Sequence, residues 1–417
     1  MAIPKCAVSG AVDREAGHRW KVLGVGVVAN ASFSAAAAGI PTTAVWLRSG
    51  YHLSTADLGL ALGSMGLGVA LSELPWGLLT DRWGDRPVLL TGLLGTAAML
   101  AAMAWLVAPS TAGVPALGWL VLALCVVGML GGSVNGSSGR AVMAWFRDGE
   151  RGLAMSIRQT AVPLGGGLGA LILPWLAAAH GFAMVYGVLA AMCAASASLA
   201  WRWLVEPSFT STGLAGRPAS PQVEPLRDAQ IWRVVLGIGV LCVPQCAVLT
   251  FATVFLHDLA HLGIGGISGT MVVVQLGAMI MRVWSGRFTD RRGNRRAYLR
   301  GSTLVVVAAF IALSLAVRMS LNVMVLAALI AVAGICVSAW HGVAYTELAT
   351  LAGTSRAGTA LGMANTVVYA WLFLTPLAIP HLLAAGSWAS VWFAGGLCAL
   401  VACPLFPQPL RIRAEGQ

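Results

Sequence analysis

The stretch GLLTDRWGDRP (77–87) sets four charges and a proline into a chain that is only 10% charged and 58% hydrophobic. A second stretch, GRFTDRRGNRR (286–296), carries the same pattern. Offset by 209 residues, Gly77 meets Gly286, Thr80 meets Thr289, Asp81 meets Asp290, Arg82 meets Arg291, Gly84 meets Gly293 and Arg86 meets Arg295. The same offset pairs Trp46 with Phe255, Leu47 with Leu256, His52 with His261 and Leu53 with Leu262. At an offset of 206, ERGLAMSIRQT (150–160) lies on RAGTALGMANT (356–366), so that Gly152 meets Gly358 and Thr160 meets Thr366. The chain is two copies of one unit.

Around these loops the sequence reads as lipid-soluble. A soluble domain is about one quarter charged, whereas here the 417 residues have a mean hydropathy of +0.81. Apolar runs long enough to cross about 30 Å of hydrocarbon as helices recur throughout. They predict twelve spans, at 21–47, 55–79, 88–108, 117–144, 152–179, 181–204, 231–256, 264–288, 297–317, 321–348, 357–384 and 387–407. No run alternates polar and apolar in the manner of a barrel strand, so the expected fold class is an all-α membrane bundle. EPSFTSTGLAGRPASPQVEPLRD (206–228) is rich in Pro, Ser and Gly and reads as a linker. The expected organisation is a terminal segment at 1–20, a half at 21–204, a linker at 205–230, a second half at 231–407 and a tail at 408–417.

The formal net charge of +11 does not point to nucleic acid, because most of the 26 Lys and Arg fall at one set of span ends. They lie at the amino terminus, in the even-to-odd loops, in the linker and at Arg411 and Arg413, with Arg48 and Arg318 opposite. That bias places both termini and the linker in the cytoplasm. The first apolar run is longer than a signal-peptide core and reads as an uncleaved helix. The eight cysteines show no metal-ligand spacing, so neither zinc nor a disulfide is expected, and Cys242 and Cys246 share a helix face as packing residues.

Twelve spans in two halves, a long central linker, and G-x-L-x-D-R-x-G-x-R between spans two and three with a degenerate copy between eight and nine resemble the major facilitator superfamily. Six spans per half make the copies parallel, related by an axis along the membrane normal. The resemblance implies a secondary transporter working by alternating access. It also implies that Asp81 faces the start of span eleven near Gly358, and by pseudo-symmetry that Asp290 faces the start of span five near Gly152.

The repeated loop suits a breakable cytoplasmic latch. Gly77 and Gly84 permit close approach and a tight turn, with Gly286 and Gly293 in the copy. Asp81 and Asp290 suit the positive end of a helix. Arg82, Arg86, Arg291 and Arg295 are expected to reach acids, with Glu347 and Glu150 as partners. The bland alternative is a loop whose charges only set topology.

Ionisable side chains deep in a span cost a few kcal/mol or more and are functional candidates by default. Glu73 and Arg282 each lie eight residues before their loop aspartate, about 12 Å into the membrane at 1.5 Å per residue. Arg158 lies at a similar depth in span five, and in the family spans five and eight are neighbours. A guanidinium suits carboxylate or phosphate, so a small organic anion is the expected cargo, with Arg282 and Arg158 as its ligands or as a structural pair. Glu73 is the candidate proton carrier, since a carboxyl group can cycle between charged and neutral forms. Arg140 is placed nearer the gate and His341 deeper in span ten, where a packing role competes. Asn30, Asn135, Gln245, Gln275 and Asn365 are candidate lining residues. His257, Asp258 and His261 read as solvated.

GMLGGSVNGSSG (128–139) and PLGGGLGA (163–170) place small residues where helices approach closely. Pro163 with Gly165 and Gly166 resembles the antiporter motif of the superfamily, although Val162 stands where its Gly-Pro pair needs glycine. No G-x-x-x-x-G-K-[ST] segment is present, so neither ATP nor another cofactor is expected to drive the protein through its own chain. The expected partners are a small-molecule substrate, the bilayer of a bacterial inner membrane and a coupling proton or counter-ion, with the protein a monomer. The alternatives are a proton-driven exporter of drugs or amphipathic metabolites, and a non-transporting sensor. An enzyme is not expected, for want of a nucleophile or metal cluster such as H-E-x-x-H.

Overall fold

The computed structural model describes residues 5–110, 113–205, 224–259 and 261–408. Most of the expected linker, and the tail with Arg411 and Arg413, lie outside the described residues.

Among the described residues no strand forms; the chain is helical throughout. Span one is α1 (Lys5–Gly39), continued by a 3-10 turn at Ile40–Thr43 and α2 (Ala44–Gly50). Its helix starts well before residue 21, within the segment expected outside the membrane. Spans two and three are α3 (Thr55–Trp83) and α4 (Asp85–Ala102), the latter ending in a π turn at Met103–Val107. Span four is broken into α5 (Leu117–Gly131) and α6 (Ser133–Trp145). Spans five and six are α7 (Arg151–Gln159) and α8 (Ala161–Trp203), the second interrupted at Gly181, whose φ of 75° and ψ of −178° turn the chain back. The second half follows as α9 (Ala229–Asp258), α10 (Ile264–Arg292), α11 (Arg295–Arg318), α12 (Val323–Ser338) with α13 (His341–Ala352), α14 (Ala357–Ala385) and α15 (Trp388–Ala402).

Ten stretches of the described residues are long and apolar enough to cross a membrane. One, Arg151–Trp203, contains two spans divided at Gly181. The 29-residue α10 is not among the ten: it is long enough but less apolar, with Arg282 buried along it. The twelve-helix bundle is therefore recovered.

Caps explain where the helices start. Ser54 and Asp57 form a reciprocal capping box at α3, the Ser54 hydroxyl accepting from the Asp57 amide at 3.1 Å and the Asp57 carboxylate accepting from the Ser54 amide at 3.1 Å. Asp228 accepts from the amides of Gln230 and Ile231 at α9, and Asn322 from that of Met324 at α12. His52 and His261, paired by the offset of 209, both take left-handed backbone, with φ of 54° and 49°. Such a conformation is uncommon outside glycine, so the repeat extends to the backbone of a turn.

The contacts divide the chain into two compact units. One comprises 1–147, 158–224 and 352–362. Within it α1 packs on α8, α3 on α5 and α4 on α8. The α1–α8 approach is close: a Cβ on Gly165 would lie 2.1 Å from the Ala31 carbonyl oxygen. The other comprises 148–157, 225–351 and 363–417, with α10 on α12, α11 on α15 and α9 on α15. The opening residues of spans five and eleven are thus counted with the opposite copy from the rest of their spans.

Candidate functional site

In the first unit, α3 stops at Trp83 because Gly84 adopts φ 92°, which leaves Asp81 in the last turn. The first amides of an α-helix have no intrahelical acceptor. Asp81 supplies one to α14: its Oδ1 accepts from the Gly358 amide at 2.9 Å, and its Oδ2 from the Thr359 amide at 2.7 Å and the Thr359 hydroxyl at 2.5 Å. The helix dipole favours an anion at that point. From α6, Arg140 lies 3.5 Å from Asp81 through Nε and 2.8 Å from Asp85 through Nη1. Gly77 brings the two backbones together, since a Cβ there would lie 2.4 Å from the Gly358 carbonyl oxygen.

The second unit repeats this construction. Asp290 accepts from the amides of Gly152 at 3.1 Å and Leu153 at 2.8 Å. A Cβ on Gly286 would lie 2.3 Å from the Gly152 carbonyl oxygen, and Gly293 closes α10 with φ 61°. Arg295 donates to Asp290 at 3.0 Å and to the Asp148 carbonyl at 2.5 Å. Here the supporting ion pair has the reverse polarity: Arg296, on the loop side, donates to Glu347 of α13 at 2.6 Å.

The other loop arginines do not act as expected. Arg86 donates to the Trp201 carbonyl at 2.8 Å and lies over the Trp201 ring, because the nearby acid Asp85 is taken by Arg140. Arg82 and Arg291 are exposed. Glu150 is half-buried just before α7, and its carbonyl accepts from the Ala154 amide.

Deeper in the first unit, Glu73 is fully buried and Arg158 is 2% exposed. The Asn135 side-chain amide donates to Glu73. Arg158 donates through Nη2 to the Asn135 carbonyl at 2.7 Å and through Nε to the Ser138 hydroxyl at 2.9 Å. Glu73, Asn135 and Arg158 therefore form one network across spans two, four and five. Asn30 is buried apart from it; among the described residues its Nδ2 has no hydrogen-bond partner, and its Oδ1 receives a 3.5 Å contact from Ser34.

In the second unit three expected residues converge on Ser338. Arg282, 5% exposed, donates from Nε to the Ser338 carbonyl at 3.1 Å. The His341 Nδ1 lies 3.2 Å from the same oxygen, and Gln245 Nε2 donates to the Ser338 hydroxyl at 3.3 Å. Span ten breaks at 339–340, so these last carbonyls of α12 need partners from elsewhere. That of Ala339 accepts from the Ser285 hydroxyl at 2.7 Å. Tyr345 donates to Asn365 at 2.6 Å. The rings of Trp340 and His341 stack 4.0 Å apart. Gln275 is half-buried on α10, and His257 and His261 are exposed.

A buried arginine held by the backbone of a broken span fits a substrate carrier, and the comparison of sequences decides the family. The model of the Major Facilitator Superfamily matches residues 22–376. The chain is a member of the major facilitator superfamily. It is a multi-pass membrane transporter, not an enzyme. It is 29% identical over 401 residues to the uncharacterized MFS-type transporter Rv2994 of Mycobacterium tuberculosis strain H37Rv, covering 94% of this chain and 85% of that protein. The same figures hold for MT3072 of strain CDC 1551. The fold resembles that of the proton:xylose symporter XylE, with TM-score 0.77 and 15% identity over 94% of this chain and 95% of that one. It also resembles the Escherichia coli fucose:proton symporter FucP, with TM-score 0.69 and 13% identity over 92% and 98%.

Several residues of this transporter carry no signal that its sequence makes legible. Ser338 and Ser138 are small and neutral, yet each receives an arginine. Asp85 and Arg296 stand inside the repeated loops, but their partners on α6 and α13 follow only from the packing. Spans four and ten are both broken midway, at Gly132 and at 339–340.

Proposed function

We propose that this transporter carries a small organic anion, a carboxylate above all, by alternating access of two six-span halves (21–204 and 231–407), coupled to a proton or counter-ion. The observation that carries the reading is Arg282: a guanidinium 5% exposed at membrane depth, bonded through Nε to the Ser338 carbonyl, on the residue that Gln245 and His341 also reach and in the unit that holds the Tyr345–Asn365 hydrogen bond. A carboxylate matches the forked donors of a guanidinium held at membrane depth. Arg158 donates to Asn135 and Ser138. We assign Arg282 to the substrate, and Glu73, Asn135 and Arg158 to coupling, with Glu73 as the proton carrier. Asp81 and Asp290, with their glycines and arginines, form the inner latch.

The basic span ends support an orientation with both termini cytoplasmic, in a bacterial inner membrane, with the monomer as the working unit. The test is a thermal-shift screen of small carboxylates, phosphates, sugars and cationic drugs on the purified protein, repeated with Arg282→Ala. Stabilisation by carboxylates that the substitution abolishes supports the reading. Anion stabilisation that survives Arg282→Ala removes it, and stabilisation by cationic drugs alone favours the exporter. Binding without counterflow in proteoliposomes identifies a sensor.

A further inference from the structure

Beside the first latch, a cleft of about 490 Å³ is lined by Leu78, Asp81, Arg82, Ser355 and Arg356. It is amphipathic. Arg82 lies in the last turn of α3, and Arg356 immediately precedes α14. Among the described residues neither guanidinium has a hydrogen bond or an ion pair. The acids within reach are taken, because Asp81 is occupied by Gly358, Thr359 and Arg140, and Asp85 by Arg140. Leu78 is 40% exposed on the same wall, and Trp83, at the end of α3 and outside the lining, is 58% exposed.

Two unmatched positive charges at one end of a membrane helix, above an exposed leucine, fit a ligand with a phosphate at one end and hydrocarbon at the other. Tryptophan settles at the headgroup level of a bilayer, and basic residues there attract anionic lipids. We propose that this cleft binds the phosphate of an anionic phospholipid between Arg82 and Arg356, with the glycerol and upper acyl chain against Leu78. A free phosphate would satisfy the arginines but leave Leu78 bare, so the lipid is the occupant. Because the two arginines sit at the ends of the helices that Asp81 joins, the bound headgroup ties α3 to α14 from outside. On the proposed reading of the latch, anionic lipid would hold it shut. Binding itself does not depend on that reading.

The experiment measures binding, so that it remains distinct from transport. Detergent-purified protein is titrated with phosphatidylglycerol, phosphatidylcholine of the same chains, glycerol 3-phosphate or inorganic phosphate, and the thermal midpoint gives an apparent affinity. The expected result is stabilisation by phosphatidylglycerol alone. Near a membrane surface each basic residue contributes about 1 kcal/mol, so Arg356→Gln should weaken that affinity roughly fivefold and Arg82→Gln/Arg356→Gln further. Arg287→Gln removes one exposed arginine from the other copy of the loop and should leave the affinity unchanged. Equal loss in Arg287→Gln, or no loss in Arg356→Gln, overturns the site. Stabilisation by glycerol 3-phosphate or phosphate equal to that by the lipid overturns the lipid as its occupant. If Arg356→Gln misfolds, native mass spectrometry of retained lipid on Arg82→Gln reads the same site.

Discussion

Thr359 donates two hydrogen bonds to Asp81, from its amide at 2.7 Å and its hydroxyl at 2.5 Å, while the neighbouring Gly358 amide adds a third at 2.9 Å. The carboxylate satisfies the first turn of α14 from the end of another span. Asp81→Ala leaves those amides unpaired, and losing hydrogen bonds to a charged group costs about 1.5–3 kcal/mol. A lower thermal midpoint is expected, together with slower substrate counterflow in proteoliposomes. Asp81→Asn keeps one acceptor and should fall between. Counterflow at the wild-type rate in Asp81→Ala would show that the contact is not a gate.

Gly77 and Gly286 predict a steric test. A Cβ at either would stand within 2.4 Å of a facing carbonyl oxygen, on Gly358 or Gly152. Overpacking of this kind costs about 1–3 kcal/mol. Gly77→Ala and Gly286→Ala should therefore lower the melting temperature, while Gly301→Ala, with nothing within 4 Å of its added carbon, should not. Indistinguishable melting of all three would contradict the close approach.

The Arg296–Glu347 pair, at 2.6 Å, can be measured by a double-mutant cycle. Arg296→Gln and Glu347→Gln should each destabilise, and the double variant by less than their sum, with a coupling of about 0.5–3 kcal/mol. Additive effects on chemical unfolding would mean that the pair contributes nothing.

On the proposed role of Glu73 as proton carrier, its substitution should separate coupling from carriage. With Glu73→Gln the Asn135 amide keeps an acceptor, but no proton can be taken up. Uptake driven by a pH gradient should then be lost, whereas exchange of labelled for unlabelled substrate continues at a rate independent of pH. Gradient-driven uptake by this variant would move the proton site elsewhere.

How much of this was open to a reader of the sequence depends on what each feature is made of. The repeat was legible because glycine and aspartate are restricted by geometry, and geometry survives in letters: Asp81 facing Gly358 and Asp290 facing Gly152 follow from an offset and a resemblance. Arg282, Glu73 and Arg158 were legible because charge is rare in lipid. The fate of Arg82 and Arg86 was not, since a guanidinium can reach a carbonyl, a ring or an open cleft as readily as an acid, and only packing shows that Arg140 had already taken Asp85. Nor was Ser338: a carbonyl freed by a broken helix has no letter of its own. The start of α1 was missed because hydropathy marks where lipid begins, not where a helix does.

The ion pairs behind the two latches run in opposite senses. The loop supplies the acid in Asp85–Arg140 and the base in Arg296–Glu347, while the glycine contacts beneath them are the same. By the offset of 209, Asp85 meets Asn294 and Pro87 meets Arg296, so the two loops hold their ion pairs at different positions over matching glycine contacts. Distant kin of this chain are then better traced by where their glycines fall than by the sign of their charges. A graft of one latch onto the other should succeed if both members of a pair travel together, and fail if either travels alone.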